Sequence, residues 1–297
     1  KSFQQGTSIM PVEAWALALG SAALFGLGLV VTQFGLREMK PALGAIFSMP
    51  TAALVFWSSA PFLADFSGWD VDAVLLFAVV GIFFPGMITL LTFEANRLMG
   101  PYVSGAIGNL APLFAVVAAL VVLGEALDIL QWLAVAAILG GVTSMSLRRQ
   151  WEGGSWRRWV IALPLGAALC RGLGPPALKI GLGWWPNPFV AVLICYAMSA
   201  SVAIAVGLWR TRGSPRIITR KGVLAFACVG LCNGFAVMCW MQSLALGPVS
   251  LTSPVVASYP VFTLVFGAIL LRRTKIDRNQ GLGVLLTVVG VMLLTAG

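Results

Sequence analysis

Long apolar runs broken by short polar stretches dominate the chain. They lie near 14–36, 41–63, 73–93, 101–123, 130–147, 159–180, 189–209, 222–244, 250–271 and 280–297. Each is close to the roughly 20 residues that a helix needs to cross lipid. A segment in lipid has no water to bond its backbone, so a spanning run is helical. The alternating ten-residue pattern of a membrane β-barrel is absent from the sequence. The pattern predicts an all-α integral membrane protein with ten transmembrane helices. The first run is too long for a cleavable signal peptide and lacks a small-residue cleavage site, so none is expected. Residues 1–10 are expected to form a disordered tail.

Composition agrees with this pattern. The chain is 59% hydrophobic and 10% charged, and it contains no histidine. A soluble surface needs far more charge. The formal net charge of +9 would suit nucleic acid if it formed one surface. Instead the basic residues gather in the odd-numbered loops, at Arg37 and Lys40, at Arg97, at Arg148, Arg149, Arg157 and Arg158, from Arg210 to Lys221, and from Arg272 to Arg278. The even loops carry Asp65, Asp70, Asp72, Glu125 and Asp128, with Lys179 at a span edge. Short basic loops stay in the cytoplasm. The expectation is a multi-pass protein of the plasma membrane, a bacterial inner membrane, with odd loops cytoplasmic and both termini outside. The lipid bilayer is a partner and nucleic acid is not. The five cysteines fall inside spans and form no CxxC pair, so they are expected to be packing residues. No metal site or cofactor is expected.

The two ends of the chain echo each other. Gly100-Pro101 followed by Leu110-Ala111-Pro112-Leu113-Phe114 is matched by Gly247-Pro248 followed by Ser258-Tyr259-Pro260-Val261-Phe262, about 147 residues on. Val80-Gly81 parallels Val229-Gly230, and Ser21 to Leu24 weakly parallels Gly166 to Leu169. The chain therefore divides into a first repeat over 11–147, a linker over 148–158 and a second repeat over 159–297. Five spans per repeat is an odd number, so the second enters the membrane from the other side. The expected fold is two inverted five-helix repeats related by a pseudo-two-fold axis in the membrane plane. Two such halves can exchange conformations, which is alternating access. The plainer alternative is a duplication that only enlarged the bundle.

Asn109 to Phe114, then Leu123-Gly124-Glu125, Gln131 and Gly140-Gly141-Val142 resemble an EamA-type domain of the drug/metabolite transporter superfamily. Tyr259 to Phe262 and Gln280 to Gly290 carry a looser copy. Arg272-Arg273 stands where that family has Gly-Glu, and Phe47-Ser48-Met49-Pro50 where many members have an early arginine. The resemblance implies a solute transporter, and general similarity is greatest to the YddG-type exporters of aromatic amino acids.

Polar groups at membrane depth are costly and face the bundle interior. Asn109, Asn233, Gln242 and Tyr259 are candidate cavity-lining groups, with Gln33 and Tyr196 as further polar positions. Each could instead serve helix packing, worth about 0.6 kcal/mol on average. Arg171 sits inside an apolar span, where its cost is at least about 2.5 kcal/mol without water or a partner. It is a candidate for a solute carboxylate, or it snorkels or pairs internally. Glu94 ends the third span and is the candidate proton-coupling carboxylate, although Arg97 one turn later could neutralise it. Phe84, Trp240, Phe83 and Met238 offer apolar and aromatic contact surface. Pro85, Pro112 and Pro260 are candidate kink or gating positions, because proline removes a backbone donor and bends a helix. Pro164, Pro175-Pro176 and Pro254 also lie within or near spans.

The function expected is a secondary transporter, an exporter of small metabolites such as aromatic or hydrophobic amino acids, working by alternating access through a central cavity. The chain is expected to be a monomer or weak homo-oligomer. An exporter of cationic drugs or nucleotide-type metabolites, a channel and a membrane enzyme are the alternatives. No GxxxxGK[ST] loop is present to use ATP, and no HExxH or GxSxG supports hydrolysis. A channel needs a continuous polar lining, which spans this apolar do not supply.

Overall fold

The computed structural model describes residues 10–88, 91, 95, 98, 104, 107–146, 158–212, 218–271 and 278–296. Within them the chain is helical: α1 Val12–Glu38, α2 Pro41–Leu63 and α3 Val71–Gly81, which runs into a π-helical segment, Ile82–Met87. Then come α4 Ala111–Val122 and α5 Ile129–Ser146. The later residues form α6 Ala162–Trp184, α7 Pro188–Arg210, α8 Arg220–Leu246, α9 Val249–Val256, α10 Tyr259–Leu271 and α11 Arg278–Ala296.

Local chemistry starts and stops these helices. Asp70, Asn187 and Thr219 accept hydrogen bonds from the first-turn N–H groups of α3, α7 and α8. Pro41 and Pro188 open α2 and α7, where the missing N–H costs nothing. Six helical stretches are long and apolar enough to cross a membrane: Val12–Glu38, Pro41–Leu63, Trp159–Trp184, Pro188–Arg210, Arg220–Leu246 and Val249–Leu270. Four shorter apolar helices accompany them, Val71–Phe84, Ala111–Val122, Ile129–Ser144 and Gln280–Leu294. The third and fourth predicted spans fall partly outside the described residues. Phe62 is 86% exposed, Ile129 80% and Val121 78%. Side chains of this size left open over many helices suit hydrocarbon, not water.

The packing crosses between the halves of the chain. The major helix pairs are α1 with α8, α5 with α11, α2 with α7 and with α8, α1 with α10, and α4 with α6. Next come α3 with α6 and α7, and α9 with α1 and α4. Each joins an element before residue 147 to one after residue 158. Missing side chains permit the closest approaches. A Cβ on Gly230 would collide with the Ser48 carbonyl, and one on Gly290 would lie 2.7 Å from the Ala134 carbonyl oxygen. In lipid this close contact replaces the hydrophobic effect as the force between helices.

Candidate functional site

A cavity of about 460 Å³ lies among these crossing helices. Two broken spans border it. The residue pair 109–110 forms a turn ahead of α4, and 257–258 forms a turn between α9 and α10. These breaks sit at corresponding points of the internal repeat, each just ahead of Ala111-Pro112 or Tyr259-Pro260. Gly108, Asn109, Ala111 and Pro112 bring the start of α4 to the cavity, and Ser253, Val256 and Ala257 bring the end of α9. The first is the positive end of a helix and the second a negative end.

Of the residues singled out from sequence, Asn109, Arg171, Asn233, Tyr259, Trp240, Phe84 and Pro112 all line this one cavity. Arg171 is half-buried midway along α6 and is the single charged residue among the described lining residues. Asn233 and Trp240 share a face of α8 about two turns apart, and Gln242 falls about half a turn away from that face. Gln242 is accordingly not among the lining residues. Pro260 stands at the second position of α10, next to Tyr259 but off the wall itself. Pro85 lies in the π-helical segment. Glu94 lies outside the described residues. Phe83 and Met238 do not line the cavity; Phe83 is on an exposed face and Met238 packs on the main core cluster.

The wall also contains Tyr196 and Ser199 of α7, Phe25 of α1 and Met49 of α2. Tyr196 was visible in the sequence as a polar group at depth. Ser199 had no comparable signal, and its role depends on a partner far along the chain. Its hydroxyl lies 3.0 Å from the Gly81 carbonyl oxygen and 2.9 Å from that of Phe84. It thus serves the irregular turn where Phe84 leaves helical geometry and Pro85 supplies no N–H. Phe84 and Trp240 meet edge to face with ring centroids 6.2 Å apart. Gly28 makes room for Asn233: a Cβ there would stand 2.7 Å from Asn233 Oδ1. Among the described residues the wall is apolar and aromatic, with one cation and a few amide and hydroxyl groups. Such a lining suits a small amphipathic solute.

One end of the molecule, where the even-numbered loops lie, is held by a polar clasp. Glu125, after α4, accepts hydrogen bonds from the N–H groups of Val249 and Ser250, both at 2.8 Å. It thereby caps α9 with a full negative charge. Lys179 of α6 donates to the carbonyls of Leu244 and Gly247 at the end of α8. Beside it, Trp185 Nε1 donates to the Ser67 carbonyl at 3.0 Å, and Asn187 Nδ2 to the Asp65 carbonyl at 2.6 Å. In that loop the Ser67 N–H and hydroxyl both bond the Asp65 carboxylate at 2.8 Å. They hold its carboxyl below the usual range.

A solved crystal structure of a protein aligns with a TM-score of 0.79 and 17% identity, over 96% of this chain and 97% of that one. At that identity the likeness concerns the fold. No curated protein matches the chain in sequence. The EamA-like transporter family matches it twice, over residues 14–147 and 158–296. The chain therefore belongs to the EamA-like transporter family, within the drug/metabolite transporter superfamily, and is a multi-pass membrane protein.

Proposed function

We propose that the protein is a secondary transporter that exports small amphipathic metabolites, aromatic or hydrophobic amino acids in the manner of the YddG-type exporters, through the cavity between its halves. One observation carries this reading: a single apolar and aromatic cavity gathers Arg171, Asn109, Asn233, Tyr196 and Tyr259 beside two matched helix breaks. An indole or phenyl group suits the walls formed by Phe25, Phe84 and Trp240, and a carboxylate suits Arg171. Matched interrupted spans are the usual frame of a transporter site.

Alternating access by two inverted five-helix repeats is supported by how the helices pair. The pair α1 with α8 has its counterpart in α6 with α3, and α1 with α10 in α6 with α4. The pairs α2 with α7 and α5 with α11 are their own counterparts. A gradient drives the cycle, and Glu94 is the carboxylate proposed to couple protons to it. Basic odd loops put that end in the cytoplasm. A reporter active only in the cytoplasm, fused after Gly297, is then expected to be silent.

Reconstituted protein preloaded with unlabelled phenylalanine should accumulate labelled phenylalanine saturably by counterflow. An ohmic current, or flux that never saturates, would rule out a carrier.

A further inference from the structure

At the end of the molecule opposite the clasp, four of the six long apolar stretches start or stop together. There α1 ends at Glu38, α2 starts at Pro41, α7 ends at Arg210 and α8 starts at Arg220. Three contacts tie these ends into one corner. The Thr219 hydroxyl donates to the Glu38 carboxylate at 3.0 Å. A Cβ on Gly222 would collide with the Met39 sulfur, and one on Gly207 would stand 2.9 Å from the Ala42 carbonyl oxygen. Beneath them Met39, Leu43, Phe226 and Val229 form a core cluster separate from the main one. The turn between α1 and α2 is thus fixed against the facing ends of α7 and α8.

Onto this base the sequence puts six cations: Arg37, Lys40, Arg210, Arg212, Arg220 and Lys221. All but Arg210 are exposed. Among the described residues of these four helix ends there is one carboxylate, Glu38, and it accepts the Thr219 hydroxyl that holds α8 to α1. Like charges crowded at one corner repel one another, and an anion relieves them. Just inward of the cations, Phe34, Leu36, Leu208, Trp209 and Leu224 leave large apolar side chains exposed. The Arg37 guanidinium stands 5.5 Å from the centre of the Phe34 ring. Exposed aromatic rings at the ends of spans sit at the level of lipid headgroups. Arg278 opens α11 at the same end, but α11 packs on α5 and makes no major contact with these four helices.

We propose that this corner is a docking site for the headgroup phosphate of an anionic phospholipid, with its acyl chains against the exposed apolar side chains just inward. The bound lipid bridges the two halves of the chain, since α1 and α2 come from one and α7 and α8 from the other. Basic pockets between spanning helices bind acidic headgroups in this way. Free inorganic phosphate offers the same charge and oxygens. The lipid is favoured because the cations stand at the ends of membrane-spanning helices with bare apolar surface directly below. The proposal does not depend on the transport reading.

The test uses the purified full chain in a neutral detergent, with phosphatidylglycerol, phosphatidylcholine or inorganic phosphate added. Saturating phosphatidylglycerol should raise Tm by about 5 °C, and the other two should leave it within about 1 °C. An equal rise with phosphatidylcholine would make charge irrelevant, and an equal rise with inorganic phosphate would make this a free-anion site. Either result overturns the proposal. Each of Arg37→Gln, Lys40→Gln, Arg220→Gln and Lys221→Gln should weaken the apparent affinity for phosphatidylglycerol about fivefold, while Arg278→Gln should not. Equal losses at all five positions would mean that the whole end acts as a diffuse charge, and would overturn it too. Photoreactive phosphatidylglycerol needs no variant, so the proposal stays testable if a substitution prevents folding. On the unaltered chain its label should concentrate on peptides covering 34–43 and 208–224. Label spread evenly over the helix ends, or concentrated on α11, would overturn the docking site.

Discussion

At the scale of single side chains the proposed site is open to test, and Arg171, the charged residue among the described lining residues, comes first. Hydrogen bonds to charged groups are worth about 1.5–3 kcal/mol, so Arg171→Ala should raise the apparent KM for a carboxylate solute about 10- to 100-fold. Arg171→Lys keeps the charge, loses the planar fork and should fall between. An unchanged KM in proteoliposomes would remove Arg171 from the site. Gly28 acts through its neighbour. A methyl there would stand 2.7 Å from Asn233 Oδ1 and push the amide from its place. Gly28→Ala and Asn233→Ala should each raise KM several-fold, and Gly28→Ala should be silent in the Asn233→Ala background. Additive losses would show that Gly28 matters for another reason. Asn109, Arg171, Asn233 and Tyr259 could be found by type, as polar groups in apolar surroundings. The position of Gln242 could not. In a lipid-embedded helix both faces are apolar, so the pattern does not encode which face turns inward. Rotation is set by packing, which turns Trp240 to the cavity side and leaves Gln242 off it.

Helix ends carry the mechanics. Pro112 and Pro260 marked the broken spans in the sequence, because proline and its lost donor act locally. The clasp at the α8–α9 junction left no such mark, since Glu125 and the N–H groups it caps are more than a hundred residues apart. From sequence Glu125, in the family-like Leu123-Gly124-Glu125, reads as a capping or loop residue, and Lys179 only as a basic residue at a span edge. Their meeting at one junction follows from α6 and the end of α4 packing beside α9. The repeat places Arg272-Arg273 where the opposite end would need a second Glu125. On the transport reading proposed above, the clasp is expected to hold the even-loop end closed. Glu125→Gln and Lys179→Met should each lower stability by about 1–3 kcal/mol, the cost of orphaning buried hydrogen-bonding groups. They should also open that end. A cysteine at Ser253, in a background without the five native cysteines, should be labelled faster from the even-loop side by an impermeant maleimide. Unchanged labelling would make the clasp a stability element with no part in gating.

At the scale of the whole molecule, the repeat was legible because Gly-Pro and the proline breaks recur at one spacing. The interleaving was not, because apolar helices carry no address for their partners. Two like halves suggest two self-contained bundles. The structure instead puts the principal contacts of α1, α2, α4 and α5 on elements of the other half. Residues 159–297 alone would leave α8 without α1 and α11 without α5, along with the close glycine contacts at Gly230 and Gly290. Association in lipid depends on that fit, since hydrocarbon solvates exposed leucine as well as another helix does. A half expressed alone should be inserted and then degraded. Halves cut within 148–158 and co-expressed should reassemble, because the major helix pairs join elements on either side of that cut. Pull-down of one half by a tag on the other, with counterflow restored, is the expected result. A stable, monodisperse single half would show that each repeat folds on its own, and the motion between states would then be two rigid bundles rocking. If neither half survives alone, α1 against α8 and α6 against α3 must slide or tilt together, and each change of access repacks the walls of the cavity itself.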